Sequence, residues 1–488
     1  MPTTTDPTPI PPTVYEQRHG TLSTLNEDGS RRWLNPRPSR GRFWTRRRAV
    51  AYTLIALFTA IPYITVNGLP LVLLDIVHRR FTLFGYTFLP TDTPLFVLLM
   101  VAVFLAVFLA TSVLGRVWCG WACPQTVYME FLYRPIERLF EGEPGRSKQP
   151  TGGLKRVLKW AVYILASLFI AHTFLAYFVG IDQLKTWVTR SPFEHPTAFL
   201  LMAGVTAAML FDFGFFREQM CTIACPYGRF QSVMLDRGSL IVAYDRKRGE
   251  PRGKAKRVSL PVLDAAPQGD CVDCRMCVTT CPTGIDIRDG LQMECIHCTQ
   301  CIDACDAVMT KVGRPTGLIR YSSQRALEGE PRKARPRVVI YSALLALITS
   351  IFTHGIITKP PVDINLLRGR GMPFNELPSG LISNQLRVKV TNRLMEQATC
   401  TVSLINAPAG GRIEIESSPN PFTVAPGEQT TIAVIVLLPR EVFVPSGTFD
   451  ARIAIETADG YRTEHTYRLL GPMNNRVRRD APKEPSRG

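Results

Sequence analysis

The sequence predicts a multi-domain chain: a polytopic α-helical membrane domain of about five spans, a cysteine-rich α+β module inserted before the last of them, and an all-β sandwich at the C-terminal end. Three observations predict it. Apolar residues gather into blocks of about 20, the length a bilayer-crossing helix needs. Twelve of the thirteen cysteines fall into closely spaced motifs. Residues 361–470 alternate apolar and polar side chains between Gly, Pro and Asn, the period and punctuation of strands.

The first 20 residues, "MPTTTDPTPIPPTVYEQRHG", have no apolar core and are not a secretory signal. Residues 1–40 are expected to be a disordered tail, because so polar a segment cannot bury enough surface to offset chain entropy. The apolar blocks are residues 49–66, 94–114, 157–179, 197–216 and 338–357. Four of them make up a membrane domain at 41–240, and the last is a fifth span at 337–358. The shorter run "GLPLVLLDIV" reads as a re-entrant or interfacial piece. Lys and Arg total 57 against 40 acidic residues, a net charge of +17. There is no recognised nucleic-acid motif to use that charge. Its distribution instead follows the positive-inside rule. Residues 31–48 carry eight Arg and residues 115–156 seven Lys or Arg, whereas 67–93 and 180–196 carry two each. The expected topology has the N-terminus inside and the C-terminus outside.

Between the fourth and fifth blocks, residues 241–336 contain Cys271-x2-Cys274-x2-Cys277-x3-Cys281-Pro282 and Cys295-x2-Cys298-x2-Cys301-x3-Cys305. Two such runs form the bacterial ferredoxin pattern for two [4Fe–4S] clusters, in which the fourth Cys of each run ligates the other cluster. The expected sets are Cys271, Cys274, Cys277 and Cys305 for one cluster, and Cys295, Cys298, Cys301 and Cys281 for the other. A zinc ribbon uses two Cys-x2-Cys pairs and does not fit this spacing. Asp306 stands where Pro often follows the last ligand. His297, between two ligands, is expected to be a solvent-side neighbour. The module is therefore a ferredoxin-like 2[4Fe–4S] domain on the cytoplasmic side, handling single electrons.

"WCGWACPQ" and "MCTIACPY" both read Cys-x-x-x-Cys-Pro, with Cys119 and Cys123 in the first and Cys221 and Cys225 in the second. Each closes an apolar block, and each is followed by an amphipathic stretch expected to lie along the membrane surface. The two hairpins look like a weak internal repeat. On a helix, Cys at i and i+4 share a face, and the following Pro limits how the helix continues. Four gathered thiols suit Cu(I), a further cluster, or a dithiol–disulfide couple; the bland alternative is apolar packing at helix ends. His172, His354 and Asp212 lie in or near spans, and Asp212 is as well explained by a helix-end position as by function.

Six alternating segments between residues 385 and 470 predict an Ig-like sandwich at 361–470. Cys400 falls in one of them as a core residue. Residues 471–488 read as a polar tail.

The run "CPTGIDIRDGLQMECIHCTQCIDACDAVMTKVGRPTGLIRY", with both Cys-x-x-x-Cys-Pro motifs, five spans and a terminal Ig-like domain, resembles the CcoG/FixG/RdxA family, accessory proteins of cbb-type haem–copper oxidases. The resemblance covers about residues 31–470. It implies a protein of the bacterial inner membrane with a periplasmic C-terminal domain. It further implies a role in oxidase assembly, linked to reducing a copper ion from Cu(II) to Cu(I). The eight insert cysteines would be cluster ligands, and Cys119, Cys123, Cys221 and Cys225 copper-handling or redox thiols. The implied partners are the lipid bilayer, oxidase subunits or copper chaperones, and an unknown cytoplasmic electron donor, with no nucleic acid. Two other classes fit the motifs: a membrane ferredoxin subunit of a quinol-dehydrogenase-type system, and a non-enzymatic redox-sensing scaffold.

Overall fold

A computed structural model describes residues 23–472, apart from residues 27, 67–68, 77–79, 85, 89–91, 145–151, 254–268, 332, 394–395, 417–418 and 445. Residues 1–22 of the expected N-terminal tail, and all but the first two residues of the expected polar tail, lie outside the described residues. Two compact units are present, a helical and cysteine-rich unit and a second one holding residues 355–488 with short segments from 65–69 and 82–88.

The first unit begins with a correction. Residues 23–40, expected to be part of a disordered tail, form an ordered strap. Ser23 Oγ donates to the Thr283 carbonyl at 2.7 Å, Leu25 bridges Arg31, and Leu34 is buried. The strap leads into helix α1, Arg42–Ala60. Short strands β1 Thr65–Val66, β2 Leu69–Pro70, β3 Val72–Asp75, β4 Arg80–Leu83 and β5 Tyr86–Phe88 follow. The run expected to be re-entrant or interfacial is therefore strand and turn where it is described. Next come α2 Thr93–Leu114, α3 Val117–Trp121, α4 Pro124–Tyr128 and α5 Arg134–Glu141, the last two joined by a π-turn at Met129–Tyr133. Then follow α6 Gly153–Val179, α7 Ile181–Thr189, α8 Pro196–Phe211 and α9 Pro226–Met234.

Among the described residues, four helical segments are long and apolar enough to cross a membrane: Thr93–Leu114, Gly153–Val179, Pro196–Phe216 and Pro336–Ile357. The helix of the first expected block, residues 49–66, is not among them. In α1, Arg42, Arg46, Arg47 and Arg48 occupy the first turns. They leave 12 uncharged residues, about 18 Å at 1.5 Å per residue, against a hydrocarbon core of about 30 Å. The C-terminal end of α1 is nonetheless tied to the last turn of α6. The Tyr177 hydroxyl donates to the Phe58 carbonyl at 2.7 Å, and their rings stack at 5.2 Å. The expected surface stretches differ from each other. The first is helix α4 through α5, with Val127, Tyr128, Met129, Phe131 and Tyr133 buried against its neighbours. The second is helical only as far as Met234 and then becomes a strand.

The insert pairs β6 Ile241–Tyr244 antiparallel with β7 Ile319–Ser322, with Ile241 opposite Ser322. Between them lie α10 Arg246–Gly249, α11 Met276–Thr279 and α12 Gln300–Lys311, and α13 Gln324–Glu328 follows. Val242, Ile285, Ile287, Ile302, Met309 and Leu318 fill the small core beside the cysteines. α14, Pro336–Ile357, then leaves the module. No residue of α14 is buried, as expected of a helix whose apolar surface faces lipid. Arg335, just before it, is tied to the Asp236 carboxylate at 2.9 Å.

The second unit is a two-sheet sandwich. One sheet runs β12–β14–β10–β8 and the other β13–β11–β15–β16, with β9 pairing β10. Its strands are β8 Val362–Arg368, β9 Asn375–Glu376, β10 Leu381–Asn392, β11 Ala398–Leu404, β12 Arg412–Ile415, β13 Phe422–Val424, β14 Gln429–Pro439, β15 Thr448–Thr457 and β16 Arg462–Leu470. Alternate residues such as Val388, Val434, Val436, Ile453 and Ile455 meet between the sheets, with Cys400 fully buried among them. All six segments read from alternation are strands. β8, β9 and β13 were not among them, because β9 and β13 are only two and three residues long and β8 ends in exposed residues.

Candidate redox site

The two Cys-x-x-x-Cys-Pro motifs have one backbone design. α2 ends at Gly115 (φ 63°), and the helix running on from α8 ends at Arg217 (φ 54°). A single helical turn follows, α3 in the first case and a π-turn at Met220–Ala224 in the second. The second cysteine then leaves the helix, with ψ 128° at Cys123 and 109° at Cys225. Cys123 N donates to the Trp118 carbonyl and Cys225 N to the Met220 carbonyl, each five residues back. Pro124 and Pro226 start the next helix at a position where the missing N–H costs nothing. The expectation that each pair shares a helical face is therefore corrected. The prolines restart the helix, and the second cysteine of each pair sits at the break.

The motifs bring all four thiols together. Cys119 and Cys221 share one apolar cluster with Tyr227, Ile296 and Cys298. Cys119 lies within electrostatic reach of Cys123 and Cys225, and Cys221 within reach of the other three. Burial pushes the Cys119 thiol up to about 11, against the opposing charge of Arg116, and pushes Cys123 and Cys221 up as well. The Cys119 thiol donates to Gln231 Oε1 at 3.0 Å, and Gln231 Nε2 donates to Thr111 Oγ1. Asp212, directly after α8, accepts from Gln125 Nε2 at 3.0 Å and lies near Cys123. Among the described residues no three Cys, His, Asp or Glu side chains close on a single point at metal-ligand distance. His172 hydrogen-bonds within its own helix to the Leu168 carbonyl, away from these thiols.

The first motif is seated directly on the second cysteine run. Gly120 lies against its backbone: a Cβ there would stand 2.6 Å from the Ile296 oxygen and 2.8 Å from Cys298 N. Arg116 N donates to His297 Nδ1 at 3.1 Å, and the Arg116 guanidinium donates to the Met293 carbonyl. Trp121 Nε1 donates to the Tyr321 hydroxyl at 3.0 Å, which donates to the His297 carbonyl at 3.2 Å. His297 is 0% exposed, which corrects the expected solvent-side position. Its side chain plugs into the membrane unit's motif, and burial with the Arg116 charge pulls its pKa down to about 3, so it is neutral. Beneath the second motif, Glu218 is ringed by Arg31 (3.2 Å), Arg134 (3.7 Å) and Arg217 (3.9 Å).

Within the insert, Cys277, Cys281, Cys295, Cys298 and Cys301 line one cavity. The thiols that bear on Cys305 are Cys271 and Cys274, and those that bear on Cys277 are Cys305 and Cys274. The fourth cysteine of each run thus stands with the first three of the other. The backbone repeats as well. Residues flanking the second cysteine of each run, Asp273 and Arg275, then His297 and Thr299, are all left-handed, with φ between 48° and 63°. Alternating turns of this kind aim successive N–H groups into a concavity that suits an anion, a feature of iron–sulfur sites. The soft thiolate donor set and this cradle fit a cubane cluster. Asp306, in place of the usual Pro, accepts from Gly317 N at 2.8 Å and holds the loop after α12.

Sequence reasoning found the cysteines but not Arg47, Arg116, Gly120, Gln231, His297 or Tyr321 as site residues. The only local signal was the Arg a few residues ahead of each motif.

Comparison with known proteins agrees with this architecture. Residues 216–324 match a family described as a 4Fe-4S dicluster domain, residues 96–142 a 4Fe-4S binding domain, and residues 352–472 the IG-like fold at the C-terminal of FixG. The protein RdxB of Cereibacter sphaeroides is 38% identical over 381 residues, covering 74% of this chain and 78% of its own. RdxA of the same organism is 33% identical, covering 87% and 93%. The nitrogen fixation protein FixG of Rhizobium meliloti is 31% identical, covering 85% and 88%. With its helices, its iron–sulfur cysteine runs and its terminal sandwich in the same order, the chain belongs to the RdxA/FixG family of iron–sulfur proteins.

Proposed function

We propose that this protein crosses the bacterial inner membrane and reduces Cu(II) to Cu(I) at the four motif thiols, in the service of assembling a cbb-type oxidase. One observation carries the reading: Cys119, Cys123, Cys221 and Cys225 lie within reach of one another, and Cys119 and Cys221 pack against Ile296 and Cys298 of the second cysteine run. Cys271, Cys274, Cys277 and Cys305 would hold one [4Fe–4S] cluster, and Cys295, Cys298, Cys301 and Cys281 the other. When bound, the clusters supply single electrons. At the thiols, Cu(II) gains one electron and becomes Cu(I), the state that soft sulfur ligands prefer. Burial raises the Cys119, Cys123 and Cys221 thiols and favours their protonated form, so each of these that takes copper releases a proton. Copper retention should therefore strengthen as pH rises. Lys and Arg asymmetry supports a cytoplasmic insert. The sandwich then faces the periplasm, where it would dock an oxidase subunit or a copper chaperone. The resemblance to oxidase accessory proteins supports that setting.

The test uses the purified, cluster-loaded protein. Replacing Cys119 and Cys123 with Ser should leave iron content unchanged, because no cluster ligand is touched. Anaerobic Cu(II) reduction or Cu(I) retention should fall at least about tenfold, as for lost metal-site groups. The Cys221→Ser, Cys225→Ser pair should do the same, and the quadruple variant little worse, since groups acting as one unit are non-additive. Normal copper reduction and retention in both pairs would overturn the reading.

A further inference from the structure

Arg47, in the second turn of α1, is 1% exposed. Its Nε donates to the Gly120 carbonyl at 2.8 Å, and its guanidinium carbon lies 5.5 Å from the centroid of the Phe131 ring. Both terminal nitrogens, Nη1 and Nη2, are buried with no hydrogen-bond partner among the described residues. A guanidinium cannot shed its proton to escape this position. A buried charge left uncompensated is strongly destabilising, so these donors imply an anion. The neighbouring chemistry is the second ligand set. Gly120, which anchors Arg47, touches the backbone of Ile296 and Cys298, and Arg47 is the foremost charge opposing the burial of the Cys298 thiol. Arg116 stands on the same side. It is 2% exposed, its Nε is without a hydrogen-bond partner among the described residues, and its charge bears on both Cys295 and Cys119.

A cubane held by four thiolates is an anion that becomes more negative on reduction, and nearby charge and hydrogen bonds set its potential. The two ligand sets differ sharply in this respect. Beside the first, Arg288 is neutralised by Asp273 at 2.5 Å and Asp286 at 2.6 Å, and Cys274 is open to solvent. Beside the second, two arginines are buried, and Arg47 has no carboxylate partner among the described residues. We propose that Arg47, seconded by Arg116, is the built-in counter-charge of the inner iron–sulfur site and holds its reduction potential above that of the outer, solvent-facing site. Both residues come from the membrane unit, not from the ferredoxin-like module itself. The more easily reduced site is thereby the one against which Cys119 and Cys221 of the motifs pack. The proposal rests on the iron–sulfur reading of the eight cysteines and is independent of copper.

The experiment is a redox titration of the full-length, cluster-loaded protein followed by EPR, without copper. Two separate waves are expected in the native chain. In Arg47→Met and in Arg47→Gln the upper wave should move to lower potential by about a tenfold change in the reduced-to-oxidised ratio, ~59 mV for one electron. The lower wave should stay in place, and Arg47→Lys should restore most of the shift. If the uncharged variants lose half their iron while Arg47→Lys keeps it, the counter-charge role is again supported. A single shared potential in the native chain, unmoved waves in an iron-replete Arg47→Met, or equal iron loss in all three variants would overturn it. Failure here leaves the copper reading standing, and the Cys-pair experiment fails or succeeds without reference to these potentials.

Discussion

Gly120 has no room for a side chain, and that is why the first motif can sit on the second cysteine run. The atoms a Cβ would meet are backbone, at 2.6 and 2.8 Å, and backbone cannot swing aside as a flexible side chain would. Gly120→Ala should therefore destabilise the docked motif by about 1–3 kcal/mol, the usual cost of overpacking. Thermal unfolding in detergent would measure it, and an unchanged midpoint would show that the motif is not held there. The cysteines around this contact were legible, because thiols at fixed short spacing have few uses. Gly120, Arg47 and His297 were not. Arg47 meets Gly120 across 73 residues, and Arg116 meets His297 across 181, and no local pattern in sequence records a contact of that span.

At the scale of elements, α1 is capped by a residue from a distant part of the chain. Asp303 Oδ1 accepts from Phe43 N at 3.1 Å and Oδ2 from Trp44 N at 2.7 Å, satisfying two N–H groups that a helix start leaves open. Its negative charge also suits that end of the helix dipole. The cap fixes α1 to α12 and so sets where Arg47 points. Asp303→Ala should cost about 0.5–2 kcal/mol and expose the start of α1 to limited proteolysis before the bundle unfolds. Proteolysis at the native rate would mean that the strap alone holds α1. The ordered strap was itself hidden from the sequence. Its composition is that of a tail, and Leu34 and Arg31 are ordered only because partners in the insert and in the segment after α8, Phe215 to Glu218, are there to receive them.

For the whole molecule, one long apolar helix, α14, lies between the cysteine-rich module and the sandwich in the order of the chain. Reporter fusions at Gly253 and Gly410 should therefore report opposite sides of the membrane, with the basic module inside. The same side for both would remove α14 as a span. Iron analysis of the loaded protein should give about eight atoms per chain, four for each cubane. Four or fewer, or stoichiometric zinc, would remove one of the two ligand sets.

By itself the sequence determined the kinds of structure present. Hydropathy over about 20 residues, alternation over strands and Cys-x2-Cys spacing are local signals, because each reports what one segment must do with its own side chains. Among the described residues four helices are long and apolar enough to span where about five were expected, because the helix of the first block ends at Ala60, short of residue 66. Only the tertiary structure decided how the two redox motifs meet. That meeting depends on a bare glycine backbone, a neutral buried histidine and two buried guanidiniums drawn from separate elements. Their energies come from desolvation and long-range charge, which exist only once those elements have packed together.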